Sequence, residues 1–115
     1  MESGSKPYIY LFRIKNTEFY KVGLTKRDPV KRIKTLQTGN PQTIELCKHY
    51  QTDLASKIER VIHRIWKHKK FIPEDFDNLN GEWFKLELDS VIQFDYICFK
   101  IEHAIQTLHS SSTDR

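Results

Sequence analysis

Residues 8–14 (YIYLFRI) carry apolar or aromatic side chains at almost every position, so both faces of a strand there have something to bury. The polar run 15–18 (KNTE) follows, and 19–24 (FYKVGL) predicts a second strand. Four polar residues cannot hold a crossover, so the two strands form an antiparallel hairpin. Asp28 directly before Pro29 matches a helix N-cap followed by proline in the first turn. The helix runs to about Gln37 with Val30, Ile33 and Leu36 on one side, and Gly39, Asn40 and Pro41 end it. A third strand is predicted over 43–50. Asp53 can cap a long helix in which Leu54, Ile58, Val61, Ile62, Ile65 and Trp66 recur at helical spacing, ending near Lys70 ahead of Pro73. Residues 72–81 read as an acidic, asparagine-rich loop closed by Gly81, and 82–86 as a short strand. Asp89 is placed to cap a final helix with Phe94, Ile97, Cys98, Ile101, Ala104, Ile105 and Leu108 as its apolar stripe. The order β-β-α-β-α-β-α implies an α+β fold: a small, mainly antiparallel three-stranded sheet with a short extra edge strand, flanked by helices.

A chain of 115 residues is one domain, expected over 8–109, with a flexible lead (1–7) and tail (110–115). No apolar run approaches the roughly 18 residues a bilayer span needs, and 1–7 lacks a signal-type stretch, so an intracellular place, cytoplasmic or nuclear, and no membrane partner are expected. Cys47 and Cys98 lie inside apolar stretches without metal-type spacing and read as reduced core thiols. The net charge of +4 permits an anionic partner without requiring one. Its distribution says more: Lys57, Arg60, Arg64, Lys67, Lys69 and Lys70 crowd one stretch with only Glu59 acidic. That pattern fits a solvated helix face or a surface that tracks phosphates.

Tyr8-Ile9-Tyr10, then Lys21-Val22-Gly23, then Arg32 and Glu59 on the two following helices, form an ordered series. With the segments GLTKRDPVKRIKTLQTGNP, KIERVIH and GEWF, it resembles the GIY-YIG nuclease superfamily over about residues 8–86, in particular the phage and large-DNA-virus branch whose second motif reads Lys-Ile/Val-Gly. The resemblance implies a GIY-YIG-like fold and a set of roles. Tyr10 orients or deprotonates the attacking water. Lys21 stands where much of the wider family has a second tyrosine, so the general base is either Tyr10 or Lys21. Gly23 is the motif glycine, and absence of a side chain there admits another backbone or a phosphate. Arg32 stabilises charge on the phosphoryl group. Glu59 is the ligand of Mg²⁺ (or Mn²⁺), which accepts one carboxylate with waters and substrate oxygens. His63 contacts the scissile phosphate or orients Glu59. Lys57, Arg60, Arg64 and Lys67 would carry flanking backbone. Asn80 lies near the family's late asparagine without aligning cleanly, and Glu82 is a candidate second acid.

Read without the resemblance, each residue has an ordinary place: Tyr10 in a hairpin core, Arg32 on a solvated helix, Glu59 as an i,i+4 partner of His63. The reading is a metal-dependent endonuclease acting on nucleic acid, DNA ahead of RNA. Its alternatives are a non-cleaving nucleic-acid-binding module of the same fold and a structural or regulatory protein that forms a homodimer through the C-terminal helix.

Overall fold

The computed structural model describes residues 6–38, 42–71 and 83–113. The breaker Gly39–Pro41, the loop 72–81 with Asn80 and Gly81, and Glu82 lie outside them. Strands β1 (Tyr8–Ile14), β2 (Phe19–Thr25), β3 (Ile44–Gln51), β4 (Lys70–Phe71) and β5 (Trp83–Lys85) form one sheet in the order β3-β1-β2-β5-β4 with every pairing antiparallel. Helices α1 (Pro29–Gln37), α2 (Ala55–Ile65), α3 (Leu88–Ile92) and α4 (Phe94–Thr113) surround it. The α+β class is as expected, but the sheet has five strands rather than three and an edge strand.

The hairpin forms where the pattern places it. Asn16 adopts a left-handed φ of 63°, which asparagine tolerates, and Thr17 closes the turn by donating from Oγ1 to the Ile14 carbonyl at 2.6 Å. Strand β1 is central and buried on both faces. Ile9 and Leu11 join Tyr20 and Val22 of β2, Ile58 and Ile62 of α2, and Phe94 and Cys98 of α4 in the larger core. Tyr10 and Phe12 face the other way, into a smaller core with Ile44 and the α1 residues Ile33 and Leu36. Val30, expected on that apolar side, is 49% exposed in the first turn of α1.

Four helix boundaries differ from expectation. Asp53 does not cap α2; Thr52 does the local work, its Oγ1 accepting from the Leu54 amide at 3.1 Å. Thr52 is also buried and donates to Glu102 of α4, whose other oxygen accepts from Tyr50 at 2.6 Å, so a buried hydroxyl has replaced an exposed carboxylate as the hinge into the helix. Helix α2 stops at Ile65, residues 67–69 make a 3₁₀ turn, and Lys70 already belongs to β4. Trp66 is buried against Phe84 and turns the chain back to the sheet, and β4 is held by backbone pairing to β5, which no hydrophobic pattern reports. Asp89 lies inside the short α3, whose N-cap is Glu87, and the apolar stripe belongs to a separate helix, α4, that continues to Thr113 beyond the tail expected from 110. Cys98 is buried and its thiol pushed up to about 12 by that burial, whereas Cys47 is only half-buried; both are free thiols.

Candidate active site

Antiparallel register decides which side chains share a face. Tyr10 lies opposite Gly23 and Phe12 opposite Lys21, so Tyr10, Phe12, Lys21 and Gly23 all face the α1 side of the sheet. Tyr10 stacks on Phe12 with ring centroids 3.8 Å apart and then extends over Gly23. A Cβ added at Gly23 would fall 2.5 Å from Tyr10 Cζ and nearer still to its hydroxyl. The glycine therefore admits the Tyr10 ring, which corrects the expectation that it admits a phosphate or another backbone. It is buried, and its role is to let the phenol cross β2.

At that crossing the hydroxyl feels charged groups from both neighbouring helices. Burial raises the Tyr10 pKa; Arg32 opposes the rise as hydrogen-bond donor and as positive charge, and the Glu59 carboxylate adds to it through space. Arg32 comes from α1, whose start is fixed by Asp28: its Oδ1 accepts from the Val30 amide at 2.9 Å ahead of Pro29. The Arg32 Nε is shielded from solvent and has no hydrogen-bond partner among the described residues.

Glu59 stands on α2 at the margin of its buried face, Ile58 and Ile62 being fully buried while the Glu59 side chain keeps 24% of its surface exposed. Its position is set by His63 one turn later. His63 Nε2 is 3.2 Å from Glu59 Oε2 and 2.9 Å from the Val22 carbonyl oxygen. A carbonyl only accepts, so Nε2 carries a proton and donates. Among the described residues strand β5 pairs with β2 over Phe19–Lys21, and Val22 is the next residue of β2. The imidazole edge also rests on the Phe84 ring at 5.2 Å. Of the two expected roles, the contacts match orientation of Glu59.

Among the described residues no three His, Cys, Asp or Glu side chains converge. The donor set near Tyr10 is one accessible carboxylate, which suits a hard, largely hydrated cation such as Mg²⁺ and not a closed zinc cage. Lys21 is half-buried on the Tyr10 face, diagonal to it across the pair, with its Nζ 6.0 Å from the centre of the Trp83 ring.

The expected flanking cations of α2 are not brought to this place. At about 100° per residue, Lys57, Arg60 and Arg64 lie roughly 100–160° round the helix from Glu59, on the solvent side. All three are exposed, as is Lys67 beyond the helix end. Lys57 instead approaches His109 of α4, Nζ to Nε2 at 3.5 Å. Other cations lie beside Arg32, none of them assigned a phosphate contact from the sequence. Lys26, Arg27 and Lys31 line a cleft of about 370 Å³ together with Arg32, Thr25 and Thr35. The signal that could have found them is the density of cations over 26–34, KRDPVKRIK, around a helix start.

The family model of the T5orf172 domain matches residues 7–98, most of the chain. That domain is related to the GIY-YIG superfamily. No curated protein and no solved structure matches. Among the described residues no helix is long and apolar enough to cross a membrane.

Proposed function

Since the chain belongs to the T5orf172 domain family, we propose that it is a metal-dependent endonuclease hydrolysing phosphodiester bonds of nucleic acid, DNA ahead of RNA. What supports this reading is that the Tyr10 hydroxyl is acted on by Arg32 of α1, as hydrogen-bond donor and as charge, and through space by the charge of Glu59 of α2. The Glu59 side chain keeps 24% of its surface open to solvent.

The chemistry assigned to each follows from its surroundings. Glu59 holds Mg²⁺ (or Mn²⁺), and when bound that ion polarises a phosphate oxygen and acidifies water. His63, anchored on the Val22 carbonyl, keeps the Glu59 carboxylate turned toward the site. Tyr10 is protonated at neutral pH, since burial outweighs Arg32, so it acts by orienting the attacking water through its hydroxyl. Arg32 offers fixed positive charge to the oxygens of the pentacoordinate phosphorus, with no reorganisation needed as that charge develops. Lys21, on the same face, is then the candidate to receive the water's proton if it is in its neutral form, or to hold a nonbridging oxygen as a cation.

The test is plasmid DNA with Mg²⁺ or Mn²⁺. Wild type nicks or linearises it, and Glu59→Gln loses at least about a hundredfold in rate. Cleavage unchanged in Glu59→Gln rejects the metal role. The Lys21 departure favours a second reading, a nucleic-acid-binding module without turnover; salt-sensitive binding with no cleavage under any divalent cation is its signature. Of the stripe assigned to a homodimer, Phe94 and Cys98 are buried in the chain's own core and Ile97, Ile101 and Ile105 pack against it, while Leu108 is exposed.

A further inference from the structure

Four cations, Arg32 among them, gather around one concavity. Arg13, Lys48, Lys69 and Lys85 each pair with a carboxylate, and Lys57, Arg60 and Arg64 stand exposed on the solvent side of a helix. Among the described residues Lys26, Arg27, Lys31 and Arg32 make no ion pair. No acidic residue is part of the cleft lining. Asp28 is the nearest carboxylate in sequence, and its Oδ1 is engaged by the Val30 amide. The first amides of α1 are also spent, since those of Lys31 and Arg32 donate to the Asp28 carbonyl. What faces the cleft is therefore side-chain charge rather than a free helix terminus. Four like charges around one concavity repel each other, and an anion seated among them removes that cost. Arg32 ties the concavity to the candidate active site, because the same guanidinium lines it and acts on the Tyr10 hydroxyl. A second hollow of about 230 Å³ adjoins it, shares Lys26 with it and is lined by Ser56 one turn before Glu59.

We propose that Lys26, Arg27 and Lys31, with Arg32, form a receptor for the phosphate next to the scissile one, so that the nucleic-acid strand enters the site along the β2–α1 side rather than along the cationic outer face of α2. This rests on the proposed function and gives it a direction. The strand's backbone runs from the cleft past Arg32 to Tyr10 and Glu59. Thr25, whose Oγ1 accepts from the Arg27 amide, keeps its hydroxyl proton for the cleft, whereas the Thr35 hydroxyl donates to the Lys31 carbonyl.

The experiment separates this inference from the nuclease reading by measuring binding without divalent cation. A fluorescein-labelled 30-bp DNA duplex is titrated by anisotropy in EDTA at several salt concentrations. The proteins are wild type, Lys26→Gln/Lys31→Gln, Arg60→Gln/Arg64→Gln, and Lys15→Gln/Lys100→Gln as a control of equal charge loss. The Lys26→Gln/Lys31→Gln variant binds on the order of tenfold more weakly near 0.1 M salt, and its log–log salt slope becomes shallower by about two. The control pair moves neither quantity by as much. A salt slope unchanged in Lys26→Gln/Lys31→Gln, with the loss appearing in Arg60→Gln/Arg64→Gln instead, overturns the cleft as the backbone receptor. Plasmid cleavage by wild type in Mg²⁺ is scored separately, so the receptor can fail while the nuclease reading stands, and the reverse. Matching thermal melts confirm that the surface variants are folded.

Discussion

Replacing Gly23 by alanine tests the geometry that assembles the site. The added Cβ would lie 2.5 Å from Tyr10 Cζ, where carbon atoms normally rest about 3.5–4.0 Å apart. The ring must therefore move by roughly 1 Å. It has little room: Tyr10 is 1% exposed and already stacked at 3.8 Å on Phe12, which is itself fully buried. Overpacking of this kind costs about 1–3 kcal/mol. Against it stands a gain of roughly 0.4–1 kcal/mol from stiffening the unfolded chain, available because no left-handed φ is needed at this position. The net expectation is a loss of about 0.5–2 kcal/mol, and a displacement of the Tyr10 hydroxyl that lowers cleavage by on the order of a hundredfold. Urea unfolding of a double-mutant cycle isolates the contact. In a Tyr10→Ala background the obstacle is gone, and Gly23→Ala becomes neutral or mildly stabilising. If Gly23→Ala costs the same free energy with and without the Tyr10 ring, or if it leaves both stability and cleavage unchanged, the crossing of β2 by the phenol is not what holds the site together.

Other outcomes follow from the same contacts. Tyr10→Phe keeps the ring and removes the hydroxyl; since burial holds the Tyr10 pKa above its ordinary value, cleavage falls while the shape of its pH profile between 6 and 9 stays the same, and loss of a limb of that profile would instead make Tyr10 the titrating base. His63→Ala frees Glu59 from its anchor and raises the Mg²⁺ concentration for half-maximal cleavage by about 10–100-fold, with a smaller effect on the rate at saturating Mg²⁺; an effect confined to the saturated rate would place His63 on the phosphate instead. Glu102 has its pKa lowered first by the Thr52 hydroxyl and then by Tyr50, so its contribution to stability is complete above the unfolded carboxylate value and is lost as pH falls through the lower folded value. The urea-midpoint difference between wild type and Glu102→Gln is thus steady at neutral pH and shrinks below about pH 4, and a difference that grows with acid contradicts the assignment.

The parts of the fold legible in the sequence are those set by neighbours along the chain. The apolar run of β1, the KNTE turn and the Asp28–Pro29 helix start all act within a few residues, and all three stand where the pattern puts them. That Arg32 and Glu59 act on Tyr10 was also accessible, because an ordered series of motif residues points to a common site even when their spacing in space is unknown. A sequence displays the density of charge and not its direction: the cations of α2 are numerous and turned outward, while a shorter group near α1 lines a cleft.

Taken alone, the chain determines its class, its hairpin and the identity of its candidate chemical groups, since propensity, capping and hydrophobic period are local energies. Only the tertiary structure decides that Gly23 is a passage for a phenol, that His63 is held by a backbone carbonyl forty-one residues away, and that β4 exists. Those features depend on strand register and on backbone hydrogen bonds between distant segments, and such bonds are made by groups that every residue carries alike.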